Sequence, residues 1–378
     1  MTLAQRQFLE LLRAGLWGEP ANTDLFHGDV DWKAILRIAK EQTVRVIVAE
    51  GIETLPQEMW PPSEATLHLM MMRVKTLQMH HVLNSTLNQI VNALNAEGIH
   101  SVLLKGQGAA QNYRKPESRM CGDIDLYIGL DNYKRACEIV ENLNTEDPKR
   151  GVECEHHMHI GLNGVEIEIH RYADMMPNKR HNSKFQKWTK ENLDTRFGTD
   201  TLRTWDNDGT DISLADPTYD AFIILHHAVR HMTTEGVGLR QICDWTMFLH
   251  KNHQHINTKE LNKRLKEFNM DAIWQEFGLI AINCLGLPAE ELPLAPSSLT
   301  SQKTERLLYH IFQSGNFGRY STEPKVNTES LPYLIKKWHH FLIQSRRHFK
   351  LFDLFPKYVA QYIWQWLTGA FVRLMQGV

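Results

Sequence analysis

The hydrophobic period changes twice along this chain, and that limits its architecture more than any bulk property. From Pro61-Pro62-Ser63 to about Glu97 the apolar residues recur at three-and-four spacing, through Leu67, Met70, Met71, Val74 and Leu77 and on to Leu83, Leu87, Ile90, Val91 and Leu94. That is the pattern of one long helix, with Gly98 placed to stop it. Its methionines read as core filler. Two earlier helices are expected, one marked by Phe8, Leu11 and Leu12 and one over 32–48.

Beyond Gly98 the period shortens. Ser101-Val102-Leu103-Leu104 reads as a buried strand ending at Lys105-Gly106, followed by a small-residue helix over 107–113. Residues 123–128 alternate polar and apolar, a strand signature. Asp131 can cap a helix over 132–143. Alternating runs at 152–160 and 165–170 flank Asn163-Gly164, a two-residue hairpin signal. Asp216-Pro217 then opens a helical region, with helices expected over 218–232 and 238–250 and more to the end. The expectation is an α+β protein: a helical region over 1–97, a small mixed-sheet core over 98–212, and a helical region over 213–378.

Lys and Arg total 42 against 44 Asp and Glu, so the net charge of −2 argues against a dedicated scaffold for long nucleic acids. The five cysteines, Cys121, Cys137, Cys154, Cys243 and Cys284, form no C-x-x-C pair. Neither a disulfide framework nor a cysteine zinc site is indicated. With no secretory pattern at the start and no long uncharged apolar stretch, the expected location is the cytoplasm.

Three acids carry the chemistry. Asp123 and Asp125 lie two apart on a predicted strand, so their carboxylates share a face. Paired hard oxygen ligands suit Mg²⁺, which takes one or two carboxylates and fills its shell with water and phosphate oxygens. In Val165-Glu166-Ile167-Glu168-Ile169-His170, the polar side chains share one face, and Glu168 completes a three-carboxylate cluster if this strand lies beside the first. Such clusters support phosphoryl chemistry. The Lys105-Gly106-Gln107-Gly108 loop leaves a strand and opens a helix, where backbone N–H groups and a lysine can meet phosphate. It is not a dinucleotide fingerprint, since Gln111 stands at the third glycine position, and no Walker loop is present.

Leu103-Leu104-Lys105-Gly106, then Tyr113, then Arg119-Met120-Cys121-Gly122-Asp123-Ile124-Asp125-Leu126, resemble the polymerase-beta-like nucleotidyltransferase superfamily, and within it a bacterial family with lysine-glycine in place of glycine-serine. Glu168-Ile169-His170 matches its third acid, and the block from Gly236 to Trp245 also looks typical; the resemblance covers roughly 35–290. It implies a nucleotidyltransferase core and transfer of a nucleoside monophosphate from an NTP to an acceptor hydroxyl, with release of pyrophosphate. Asp123, Asp125 and Glu168 would hold Mg²⁺, and Glu168 would help deprotonate the acceptor. Lys105, Gly106, Arg119 and Gly122 would form the nucleotide-binding side. The acceptor would be a small molecule or a protein. The alternative is a non-catalytic nucleotide-binding or antitoxin-like regulator on the same fold.

Other signals are weaker. Glu155-His156-His157-Met158-His159 invites a zinc reading, but on a strand His156 points away from His157 and His159, so solvent- or substrate-facing roles are expected. His227 and His231 are one turn apart; capping or core roles are expected, with a place lining the cleft as the alternative. Arg240 and Asp244 are expected to pair locally on one helix face, with contact of Arg240 to a phosphate or acceptor as the alternative. The stripe Phe355, Tyr358, Val359, Tyr362, Ile363, Trp366, Leu367, Ala370, Phe371, Leu374 and Met375 follows the basic residues Lys336, Lys337, Arg346, Arg347, His348 and Lys350. It is expected to dock on the protein's own core; peripheral membrane or partner contact is the other use of such a helix.

Overall fold

A computed structural model of the chain describes residues 1–144, 151–318 and 333–375. Four helices come first: α1 (Leu3–Trp17), α2 (Trp32–Glu41), α3 (Arg45–Ile52) and α4 (Ser63–Ala96). The α/β unit continues as β1 (Val102–Leu103), α5 (Gln107–Ala110), β2 (Asp123–Tyr127), α6 (Tyr133–Leu143), β3 (Val152–Glu153), β4 (His157–Leu162) and β5 (Val165–His170). Then come α7 (Lys179–Asn192), β6 (Arg203–Asn207) and β7 (Thr210–Leu214). The rest is helical: α8 (Pro217–Thr234), α9 (Leu239–Asn252), α10 (Thr258–Glu267), α11 (Asp271–Leu285), α12 (Gln302–Ser314), α13 (Tyr333–Phe352) and α14 (Pro356–Met375).

The seven strands form one mixed sheet in the order β3-β4-β5-β2-β1-β7-β6. The α+β class and its helical flanks are as expected. The β2–β5 and β1–β7 pairs are parallel and the others antiparallel. Asn163 and Gly164 close the β4–β5 hairpin at φ 53° and 73°, as an Asn-Gly turn does. The β6–β7 hairpin goes beyond the sequence expectation. Asp208-Gly209 turns it at φ 48° and 84°, the same signature. Asp206, Asp208 and Asp211 obscure the alternation around it. The sheet therefore reaches Leu214, two residues past the expected boundary.

Strand alternation divides the sheet into two faces. Leu103, Ile124, Leu126, Ile160, Ile167, Ile169 and Ile212 lie in one buried core with Leu83, Leu87, Ile90 and Leu94 of α4 and Ala136 and Val140 of α6. The other face carries the acids. A second, larger core joins α1–α3 to the C-terminal helices.

Several local expectations are corrected. The 32–48 helix is two helices, broken where Thr43 takes φ 57°. The helix after β2 starts at Tyr133 and has no side-chain cap from Asp131. The expected strand over 152–160 is interrupted at 154–156 by a tight turn in which Cys154 N–H donates to His157 O. The methionine stretch of α4 is core only in part: Leu67, Met70, Met71, Val74 and Leu77 are exposed, while Leu69 and Met72 are buried. A helix of 34 residues is about 51 Å long, so its first half overruns the sheet that its second half covers.

Leu354, Phe355, Tyr358 and Val359 are buried in the larger core, so the start of α14 docks on the protein itself. Trp366, Leu367, Ala370, Phe371, Leu374 and Met375 lie outside the residues whose side chains are described, as do Lys336 and Lys337. Among the described residues, no helix is long and apolar enough to cross a membrane.

Candidate active site

The register of β2 and β5 builds the site. Asp125 lies opposite Glu168, Asp123 opposite Glu166, and Tyr127 opposite His170. On the far side of β5, His159 lies opposite Glu168 and His157 opposite His170. Because neighbours across a ladder share a face, two acids of β2, two of β5 and three histidines converge there.

Lys105 Nζ sits 2.6 Å from Asp125 Oδ1. His170 Nε2 lies 3.1 Å from both Asp125 Oδ1 and Glu168 Oε2, and its Nδ1 lies 3.3 Å from Tyr172 O. Asp125, Glu168 and His170 each present an atom within metal-bridging reach of the others. Asp123 begins the strand on the same face and lines the cleft with Lys105, Gly106, Asp125, His227 and Arg240.

The charges hold one another in place. Burial works against ionised Asp125, but Lys105 and His170 hold its carboxyl well below the usual range. Burial and the adjacent Asp125 raise Asp123, against the pull of Lys105 and Arg240. Burial disfavours the Lys105 ammonium, yet Asp125, Glu168 and Asp123 raise its pKa. Burial likewise opposes His170, and hydrogen bonds to Asp125 and Glu168 raise it. Both His170 ring nitrogens face oxygen acceptors, Asp125 and Glu168 at Nε2 and Tyr172 O at Nδ1.

Gly106 connects β1 to α5 at φ 57°, where a Cβ would stand 3.0 Å from Asp123 O. Only glycine fits that approach, which brings Lys105 onto Asp125. The helix that follows is a single turn, shorter than the expected 107–113. Gln107 is tied to His80 and Asn84 of α4, so α4 buttresses the loop. Gly122 is exposed just before β2, with open space where a Cβ would be.

Arg119 borders the same cleft as Lys105 and Gly106, with its guanidinium engaged by a neighbour. It is 5% exposed, and its Nε and Nη2 donate to Asp244 Oδ1 and Oδ2 at 2.7 and 2.8 Å. Tyr113 Oη donates to the same Asp244 at 2.6 Å. The expected Arg240–Asp244 pair is therefore not formed: Asp244 is taken by Arg119, and Arg240 Nη1 donates to Met120 O at 2.7 Å. Arg240 lines the cleft, as do Arg119 and Asp244.

The histidines also need correction. His156 precedes β4, so it escapes strand alternation and comes within 4.2 Å of the His157 ring. His227 lines the cleft rather than capping a helix, with its Nε2 2.9 Å from His231 Nε2. Beside it lies Asp174, buried and bound by His226 at 3.1 Å and Arg230 at 3.0 Å, a group that sequence reading missed. Its signal is one charge amid Ala173, Met175 and Met176.

A lysine-glycine loop facing an acid pair on a mixed sheet places the chain among proteins that handle charged phosphate donors. More narrowly, the chain belongs to a family described as uncharacterised nucleotidyltransferase, whose model matches residues 28–286. It is a nucleotidyltransferase by that membership. A solved structure, an antigenic nucleotidyltransferase-like protein from Paracoccidioides brasiliensis, is similar at 15% identity and a TM-score of 0.29, over 49% of this chain and 85% of that one. So loose a likeness carries no argument here. No curated protein matches the chain.

Proposed function

We propose that the chain moves a nucleoside monophosphate from an NTP to an acceptor hydroxyl, by the Mg²⁺-dependent chemistry of the polymerase-beta-like superfamily. The observation that carries this is the register of Asp125 against Glu168, with Lys105 Nζ 2.6 Å from Asp125. Asp123, Asp125 and Glu168 are hard oxygen donors that fit Mg²⁺, and the ion pair of Lys105 with Asp125 supports a site that favours positive charge. Once bound, the ion supplies positive charge to the triphosphate and the leaving group.

The chain's own residues do the rest. Lys105 and Arg240 present positive charge to the phosphates at the cleft wall. Glu168 takes the acceptor's proton as the acceptor oxygen bonds to the α-phosphorus and the bond to the β-phosphate oxygen breaks, releasing pyrophosphate. His170 holds Glu168 and Asp125 in register through Nε2. The acceptor is a small molecule or a protein hydroxyl rather than a long polynucleotide, in keeping with the balanced charge. The five free cysteines fit work in a reducing cytoplasm.

Calorimetric titration with ATP, GTP, CTP and UTP in Mg²⁺, run beside a pyrophosphate assay, tests this. Binding with pyrophosphate release that Asp123→Asn abolishes supports transfer. Binding without release, in the presence of a broad acceptor mixture, would instead support the non-catalytic regulator.

A further inference from the structure

We propose that Cys154, His157 and His159 form a binding site for a Zn²⁺-class transition metal at the edge of the catalytic sheet, adjoining the carboxylate centre at Glu168 but using a different donor set. The three residues follow a Cys-x-x-His-x-His pattern that the fold turns into convergence. The turn pairs Cys154 with His157 across the β3–β4 strands through Cys154 N–H donating to His157 O at 2.8 Å. Residues opposed in an antiparallel ladder share a face, and His159 lies two residues on along the same strand. One sulfur and two imidazole nitrogens consequently lie within 4.8 Å of one another.

Two contacts indicate a ligand. His157 Nε2 and His159 Nε2 stand 2.6 Å apart, an arrangement that needs one shared proton or a cation between the rings. Tetrahedral ligands around zinc are separated by about 3.3 Å, so a slight parting of the rings admits the ion. On its other side, His159 Nδ1 lies 2.6 Å from Glu166 Oε1. A carboxylate beside one ring nitrogen leaves the other turned toward Cys154 and His157, the side on which a metal would bind. His157 is mostly buried, and its Nδ1 has no hydrogen-bond partner. The neighbouring set of His156, His157 and His170 is less suited, because His170 is already engaged by Asp125 and Glu168.

A thiolate with two imidazoles is a borderline-soft donor set, suited to Zn²⁺ or Co²⁺ and unlike the all-oxygen Mg²⁺ set. Bound metal would pin the β3–β4 turn beside Glu168, whose Oε1 lies 3.6 Å from His159 Nδ1.

Co²⁺ titration of chelator-treated, reduced full-length protein tests the site without any nucleotide, so its failure leaves the transfer reading standing. The expected result is one equivalent bound, with tetrahedral visible bands and a near-ultraviolet thiolate charge-transfer band, all displaced by one equivalent of Zn²⁺. Cys154→Ser should lose the charge-transfer band while keeping visible absorption. His159→Gln should weaken binding at least tenfold, and Asp123→Asn should leave the spectrum unchanged. Absence of a thiolate band in the wild-type protein, or its persistence in Cys154→Ser, would overturn the assignment.

Discussion

Arg119 stands four residues before Asp123, where the family resemblance implies a place on the nucleotide side; it borders the cleft, and its Nε and Nη2 are closed on Asp244. That choice depends on α9 packing behind the loop, a contact between residues 125 positions apart that no local pattern encodes. Breaking such a pair strands a buried charge, so Arg119→Ala or Asp244→Asn should each cost about 3–5 kcal/mol in urea unfolding. An Arg119→Met/Asp244→Leu double variant should recover most of that loss; equal losses in single and double variants would contradict the pairing. Asp174 offers a pH test. Burial would raise its carboxyl, but Arg230 and His226 hold it well below its unfolded value of about 3.9. The stability from this shift is present above the unfolded pKa and lost as the pH falls through it toward the folded one. Asp174→Asn should therefore lose less stability between pH 7 and pH 3 than the wild-type protein does. Lys105→Ala should weaken NTP binding but tighten Mn²⁺ binding, because it removes the cation that competes for Asp125; calorimetry reads both.

Among the elements, α4 shows how far periodicity carries and where it stops. Its start after Pro62 and its end before Gly98 follow from the sequence, since proline cannot continue a helix backwards and Gly98 adopts φ 69° without a Cβ penalty. Burial of its stripe depends on what lies opposite, and nothing covers Met70, Met71 or Val74 in the described chain. Met71→Gln and Val74→Gln should stay within about 0.5 kcal/mol of wild type. Leu87→Ala, on the half that packs against the sheet, should cost about 2–5 kcal/mol. Chemical denaturation compares them directly; similar costs would mean that the exposed half is covered in solution. The acid strands illustrate the converse. Alternation alone placed Asp123 with Asp125 and Glu166 with Glu168. The parallel pairing of Asp125 with Glu168, 43 residues apart, required the fold.

For the molecule as a whole, the helix–sheet–helix plan was legible because hydrophobic period survives in any context. The β6–β7 hairpin was not, because its strands are polar and only Asp208-Gly209 marks them. The acids were legible as residue types at strand spacing. The placements of His156 and Asp174 were not, since a turn and a buried ion pair fix them, while His227 lines the cleft as the less favoured sequence reading allowed. Lys105, Asp123, Asp125, His227 and Arg240 line one cleft, and the central claim is what that cleft does to an NTP. Parallel incubations with NTP labelled at the α- or the γ-phosphate, using a desalted cell extract as acceptor source, test this most directly. The account predicts that only the α-label enters product in Mg²⁺, and that Asp125→Asn lowers transfer by at least about 100-fold, roughly 2.7 kcal/mol of transition-state stabilisation. Transfer of the γ-label, or undiminished α-transfer by a folded Asp125→Asn variant, would contradict it.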